Sequence, residues 1–146
     1  MDRRTELAEQ EAERWVEFEA VLQTVPRDRW DDPGAAPGWT LKAIVRHVAG
    51  WLEDLVGHLE EMRGGTFVDP GESDEVIDAR NARFAEQAVS MNTDEVWNGL
   101  LAARAAALAR WAELLTIDDA AVEWFVGETT EHYEEHLPDL RRVAAG

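Results

Sequence analysis

The sequence predicts an all-α fold, and three observations carry that reading. Apolar residues recur three and four apart through five long stretches. No stretch shows the strict alternation of a half-buried strand. Prolines and glycines gather mainly between the stretches. With 146 residues, 45% of them hydrophobic and 31% charged, the chain is expected to form a single domain over residues 1–146 around one core.

The first helix is expected over about residues 4–25, where Trp15, Phe18, Leu22 and Val25 share a face and Pro26 ends the pattern. Residues 26–38 hold three prolines and two glycines and read as loop. Thr40 is a plausible N-cap for a second helix over about 41–63, with Leu41, Ile44, Val45, Val48, Leu52, Leu55, Leu59 and Met62 in one stripe. Gly64-Gly65 stops it. A third helix over about 74–90 is expected to bury Ile77, Phe84 and Ala88. The fourth, about 94–115, starts from Asn92 or Thr93 and carries Val96, Leu100, Leu101, Leu108 and Trp111. The last, about 120–143, is capped by Asp118 or Asp119 and should kink near Glu134, because Pro138 removes a hydrogen bond there.

Charge and composition exclude several function classes. The net charge of −17, from 31 acidic and 14 basic residues, with no basic cluster larger than Arg141-Arg142, argues against nucleic acid and against anionic membrane surfaces. No apolar run reaches the roughly 20 residues needed to cross a bilayer. The first residues, Met1 to Glu6, carry no hydrophobic segment of a signal peptide, so a cytoplasmic location is expected. With no cysteine, the protein supplies neither a disulfide nor a thiolate of its own.

Four histidines are present, and two form His132-Tyr133-Glu134-Glu135-His136. On a helix the i, i+4 spacing stacks two imidazoles on one face, close enough to chelate one metal ion. Helical phase puts both on the stripe of Val122, Phe125, Thr129 and Leu140, facing the bundle interior. A pair of core histidines satisfied by buried carboxylates is the competing reading. A third imidazole would come from another helix, and His47 and His58 both lie on the shoulder of the second helix's apolar face, about 16 Å apart. One metal ion cannot use both.

The segment Gly38-Trp39-Thr40-Leu41-Lys42-Ala43-Ile44-Val45-Arg46-His47-Val48-Ala49-Gly50-Trp51 resembles the second-helix signature of the DinB superfamily. The stretch from Thr130 to Arg141 resembles that superfamily's closing HxxxH helix, and the 85 residues between His47 and His132 suit it. The resemblance runs from about residue 10 to 142. It implies an up-down-down-up four-helix bundle with short extra helical segments, and a metal site formed by His47, His132 and His136. It also implies membership of a group that includes metal-dependent transferases and isomerases using mycothiol, bacillithiol or glutathione, with a further branch resembling the colibactin self-resistance protein.

Three neutral histidines leave a divalent ion, zinc or nickel, with an open position for water, thiol or substrate. The reading that follows is a low-molecular-weight-thiol S-transferase of detoxification type acting on a small molecule. A metal-dependent hydrolase or self-resistance protein stands as an alternative, and so does a non-catalytic, metal-stabilised bundle that binds a small molecule. The single lysine, Lys42, beside many arginines and alanines suggests a GC-rich bacterial genome, where mycothiol would be the natural thiol. Trp51, Asn81, Arg104 and Glu131 are candidates for contacts to substrate or to the histidines, and Trp39 could line the same pocket. Each has a structural alternative: a core position for the tryptophans, a carboxylate partner for Arg104, an interhelical hydrogen bond for Asn81 and a solvated face for Glu131. Either a monomer or a homodimer is compatible with the residues.

Overall fold

Helix starts in this chain are set by short polar side chains that satisfy otherwise orphaned backbone N–H groups. Asp2 accepts from Thr5 N at 2.8 Å and opens α1 (Arg3–Gln23). Thr40 accepts from Ala43 N at 3.0 Å and opens α2 (Leu41–Gly64). Ser73 opens α3 (Asp74–Ser90), and Asn92 forms a reciprocal capping box with Glu95 at the head of α4 (Thr93–Glu113). Asp118 accepts from Ala121 N at 2.9 Å and opens α5 (Asp119–Glu128). Only α6 (Thr130–Ala145) begins without such a cap. These elements come from a computed structural model that describes residues 1–146.

The single closing helix expected over 120–143 is in fact two. The chain breaks at Thr129 (φ −115°, ψ −93°), while Pro138 lies inside an uninterrupted α6. The break has a local cause. Gly127 is a weak helix former, Thr129 and Thr130 are β-branched, and the Thr129 hydroxyl donates to Phe125 O at 2.6 Å, competing with the helical ladder. His132 and His136 lie together on α6, so their common face does not depend on phase carried across the break.

The loop expected over 26–38 also contains structure: a 3₁₀ turn (Arg27–Arg29) and a small antiparallel hairpin of β1 (Pro33–Ala36) and β2 (Trp39–Thr40). Pro37 followed by Gly38 at φ +79° supplies the turn residues between the strands. The strands are too short for alternation to register in the sequence. The hairpin is pinned to the end of α6 by Arg142, which donates to Ala35 O at 2.6 Å.

The bundle is organised around α2, which packs most extensively on α4 and also touches α3, α5, α6 and the hairpin. α1 packs mainly on α6. Encirclement explains why nearly every residue from Leu41 to Leu52 is buried, the shoulder residue His47 included. Trp15, Trp97 and Trp111 are core residues, and Trp111 stacks on Phe125 with centroids 4.0 Å apart. Two expected core positions fall outside it. Leu101 is 37% exposed and Ile77 only half-buried, since α4 can turn one of the adjacent pair Leu100-Leu101 inward and α3 covers only the flank of α2. α3 comes close to α2 because position 50 is glycine: a Cβ there would lie 2.5 Å from the Phe84 ring. No helix is long and apolar enough to cross a membrane.

Candidate metal centre

His47 comes from the first half of α2, and His132 and His136 from the first two turns of α6. Their imidazoles meet edge to face, with ring centroids 4.8 to 5.0 Å apart. His132 Nε2 lies 2.9 Å from His47 Nε2 and 3.2 Å from His136 Nε2, and one nitrogen from each ring falls within 4.8 Å of the other two. His58, the other histidine of α2, packs instead at a tilt against Trp124, with ring centroids 4.4 Å apart, and takes no part.

Why α6 presents these rings inward is visible on its opposite side. Tyr133, fully buried, donates its hydroxyl to Glu11 Oε2 of α1 at 2.8 Å. Glu11 in turn accepts two hydrogen bonds from Arg104 of α4, both 2.8 Å, and the guanidinium lies over the Trp15 ring. This buried triad fixes the rotation of α6 about its axis, and with it the direction of His132 next door. Arg104 is thereby engaged with Glu11 and does not reach the histidines.

Burial is the main influence on the histidine protonation states. It pushes His47 down to about 4, with the neighbouring His136 adding to the effect, and it holds His132 well below the usual range, again with His136 and His47 contributing. Near pH 7 both rings are neutral, each with a lone pair to offer. His132 Nε2 carries either a proton or a lone pair, so it can complete one hydrogen bond but not two, yet two imidazole nitrogens lie within range of it. A shared cation resolves this, because three lone pairs can point at one ion. Nitrogens bound to a tetrahedral ion at roughly 2.0–2.1 Å sit about 3.3 Å apart, close to the two spacings measured from His132 Nε2. The donor set fits a divalent ion of the zinc or nickel kind. Asp139 Oδ2, 3.4 Å from His136 Nδ1, is placed to orient that ring, whereas Nδ1 of His47 and of His132 is buried without a partner. Trp39 of the hairpin packs edge-on against His47 at 5.4 Å.

A cavity of about 490 Å³ opens beside the cluster, with His47 and His132 on its wall. Of the other residues singled out in the sequence, Trp51 and Asn81 line it, joined by a hydrogen bond from Trp51 Nε1 to Asn81 Oδ1 at 2.7 Å. Glu131 is exposed and lies outside the lining. Sequence reasoning missed Glu128 and Trp124, which enter the wall from α5, and Glu72 from the loop before α3. Glu72 binds Arg80, which also meets Asp54 at 3.0 Å and covers one face of Trp51. Asp139 was within reach of the sequence, since it sits i+3 from His136.

An α-helical bundle with three convergent imidazoles beside a small-molecule-sized cavity defines the class: a DinB-like helical domain with a candidate metal centre. More particularly, a family model for the mycothiol maleylpyruvate isomerase N-terminal domain matches residues 11–142, and the chain belongs to that family. No curated protein and no solved structure shows significant similarity to the chain.

Proposed function

We propose that the protein is a divalent-metal-dependent enzyme that activates a low-molecular-weight thiol at His47, His132 and His136 and passes it to a small electrophile in the adjoining cavity. The observation that carries this reading is the convergence of three imidazoles on one point beside that cavity, in a chain without cysteine. Family membership makes mycothiol the natural thiol. A divalent ion in such a site lowers the pKa of a thiol or water bound to it and polarises an electrophile. The protein's own residues do the rest. His47 and His132 supply uncharged donors that stay uncharged well below neutrality, and Asp139 orients His136. Trp51 and Asn81 form a rigid wall against which substrate packs. In the reaction the thiol gives its proton to solvent water, its sulfur forms a bond to the electrophilic carbon, and the bond from that carbon to the leaving group breaks. The leaving group departs with the displaced electron pair. A cytoplasmic setting, where low-molecular-weight thiols are abundant, suits this chemistry.

The test is metal content and thiol dependence, measured on protein purified without a histidine tag. Roughly one equivalent of zinc or nickel is expected, lost in His132→Ala/His136→Ala, together with consumption of model electrophiles only when mycothiol is added. Turnover without thiol would point to hydrolysis. No metal after incubation with zinc and with nickel would overturn the proposal.

A further inference from the structure

Beside the histidines, α2 and α3 are joined by a side-chain hydrogen bond whose direction is fixed by chemistry. Trp51 Nε1 lies 2.7 Å from Asn81 Oδ1. An indole nitrogen can only donate, so the atom of Asn81 that meets it is the carbonyl oxygen. The amide nitrogen, with two N–H groups, is left on the other side of the side chain. It has no acceptor in the protein and is not buried. Asn81 borders the cavity together with Trp51, His47 and His132, so these two N–H groups open onto it.

Both partners are held in place. Trp51 is only 8% exposed. Its ring meets Phe84 of α3 edge to face at 6.2 Å, and the Arg80 guanidinium lies 5.1 Å from its centre. Arg80 is itself anchored by Glu72 and Asp54. The close approach of Gly50 and Phe84 sets the spacing of the two helices three residues beyond Asn81. Trp51 follows His47 by four residues on α2, so the two side chains stack one turn apart on one face. The Asn81 amide is therefore oriented before anything binds, and little ordering is left to oppose binding. The other wall residue with an indole N–H, Trp124, packs on His58 and Phe67 and has no such tie to α3.

We propose that Asn81 is a substrate-binding residue, donating from Nδ2 to an uncharged carbonyl oxygen (ketone, ester or carboxamide) on the carbon next to the electrophilic one. The inference deepens the proposed function by assigning a substrate contact and its acceptor chemistry. It rests on that reading only for the claim that the bound molecule is the electrophile. A neutral oxygen suits this wall, because an anionic one would give up hydration to a cavity bordered by no lysine or arginine. Two N–H groups aimed at the carbonyl oxygen fix which carbon faces the thiol sulfur. They also take up electron density that shifts onto that oxygen as the bond to sulfur forms.

The experiment uses two unreactive probes of one shape, acetophenone and α-methylstyrene, which differ by an oxygen in place of a CH2 group. In the ¹⁵N-labelled full chain the side-chain amide signals of Asn81 are identified by their absence from Asn81→Asp. Acetophenone is expected to move those signals downfield, and α-methylstyrene should bind about threefold to tenfold more weakly. Asn81→Asp keeps an oxygen for Trp51 Nε1 and removes only the two donors. It should leave tryptophan fluorescence unchanged while lowering acetophenone affinity by at least the same factor. Equal binding of the two probes, unmoved Asn81 signals, or acetophenone affinity indifferent to Asn81→Asp would each overturn the proposal. The probes need neither thiol nor metal, so the two readings fail separately. Probe binding by a chain that takes up no metal removes the catalytic reading alone, whereas thiol-dependent turnover with unmoved Asn81 signals removes the role of Asn81 alone.

Discussion

Replacing Glu128 by Gln removes a carboxyl group that the fold holds against its own electrostatics. The group is expected to titrate near 4.5 in the unfolded chain and is pushed up to about 8 in the folded one, by burial and then by Asp54 and Glu135. Between those values the folded protein binds more protons than the unfolded chain. The contribution of Glu128 is therefore fully present below pH 4.5 and is lost as pH rises through 8. The gap corresponds to roughly 5 kcal/mol at about 1.4 kcal/mol per pH unit, and partial solvent screening reduces this to about 2–4 kcal/mol. Glutamine stays neutral throughout. Glu128→Gln is therefore expected to match the parent protein near pH 5 and to be more stable by about 2–4 kcal/mol at pH 9, on the order of 5–15 °C in Tm. His47, pushed down to about 4, acts in a different window: its contribution is lost as pH falls from 6.5 towards 4, equally in both proteins, and cancels in the comparison. The assay is urea unfolding followed by tryptophan fluorescence at pH 5, 7 and 9, with chelator present so that metal occupancy is matched. A stability difference that does not change with pH, or a variant less stable at pH 9, would refute the reasoning.

Three further outcomes follow from contacts described above. Glu11→Gln leaves the Arg104 guanidinium without its counter-charge in the bundle interior and should cost about 3 kcal/mol in denaturant unfolding, whereas Glu11→Met combined with Arg104→Met should cost much less than the single change. Gly50→Ala places a methyl group 2.5 Å from Phe84 and should cost about 1–3 kcal/mol despite alanine's better helix propensity; an unchanged urea midpoint would show that α3 simply moves aside. Asp139→Asn should weaken zinc affinity by about 10–100-fold in competition with a chromophoric chelator while leaving the unfolding midpoint of the metal-free protein nearly unchanged.

The helices were legible because α1 to α4 each bury one stripe and open on a capping side chain, features written in a few adjacent residues. HxxxH was legible for the same reason, since both histidines lie on one helix. His47 was harder. Its burial comes from His132 and His136 of α6 and Trp39 of the hairpin, which its own helical phase does not reveal, so phase ranks it no higher than His58 and the choice between them rested on family likeness. The α5–α6 break was hidden because a Thr hydroxyl turning back on Phe125 O leaves no periodic trace. Missing the break also hid Glu128 and Trp124 as wall residues. Arg104 stood out as a charge in an apolar stripe, but which of 31 carboxylates would meet it depended on α1 crossing α4 at Glu11, 93 positions away.

The break at Thr129 divides labour between two short helices. α6 carries His132 and His136 and is clamped from behind by Tyr133, so its orientation answers to α1 and α4. α5 carries Glu123, Trp124 and Glu128 and has no hand in that clamp. Had one straight rod run from 119 to 145, any change that re-aimed the cavity wall would also have turned the imidazoles. With the two segments joined at a fixed bend, the α5 part of the cavity wall can be rewritten while the imidazoles on α6 stay registered. Residues 119–128 are therefore the place to graft new selectivity onto this scaffold.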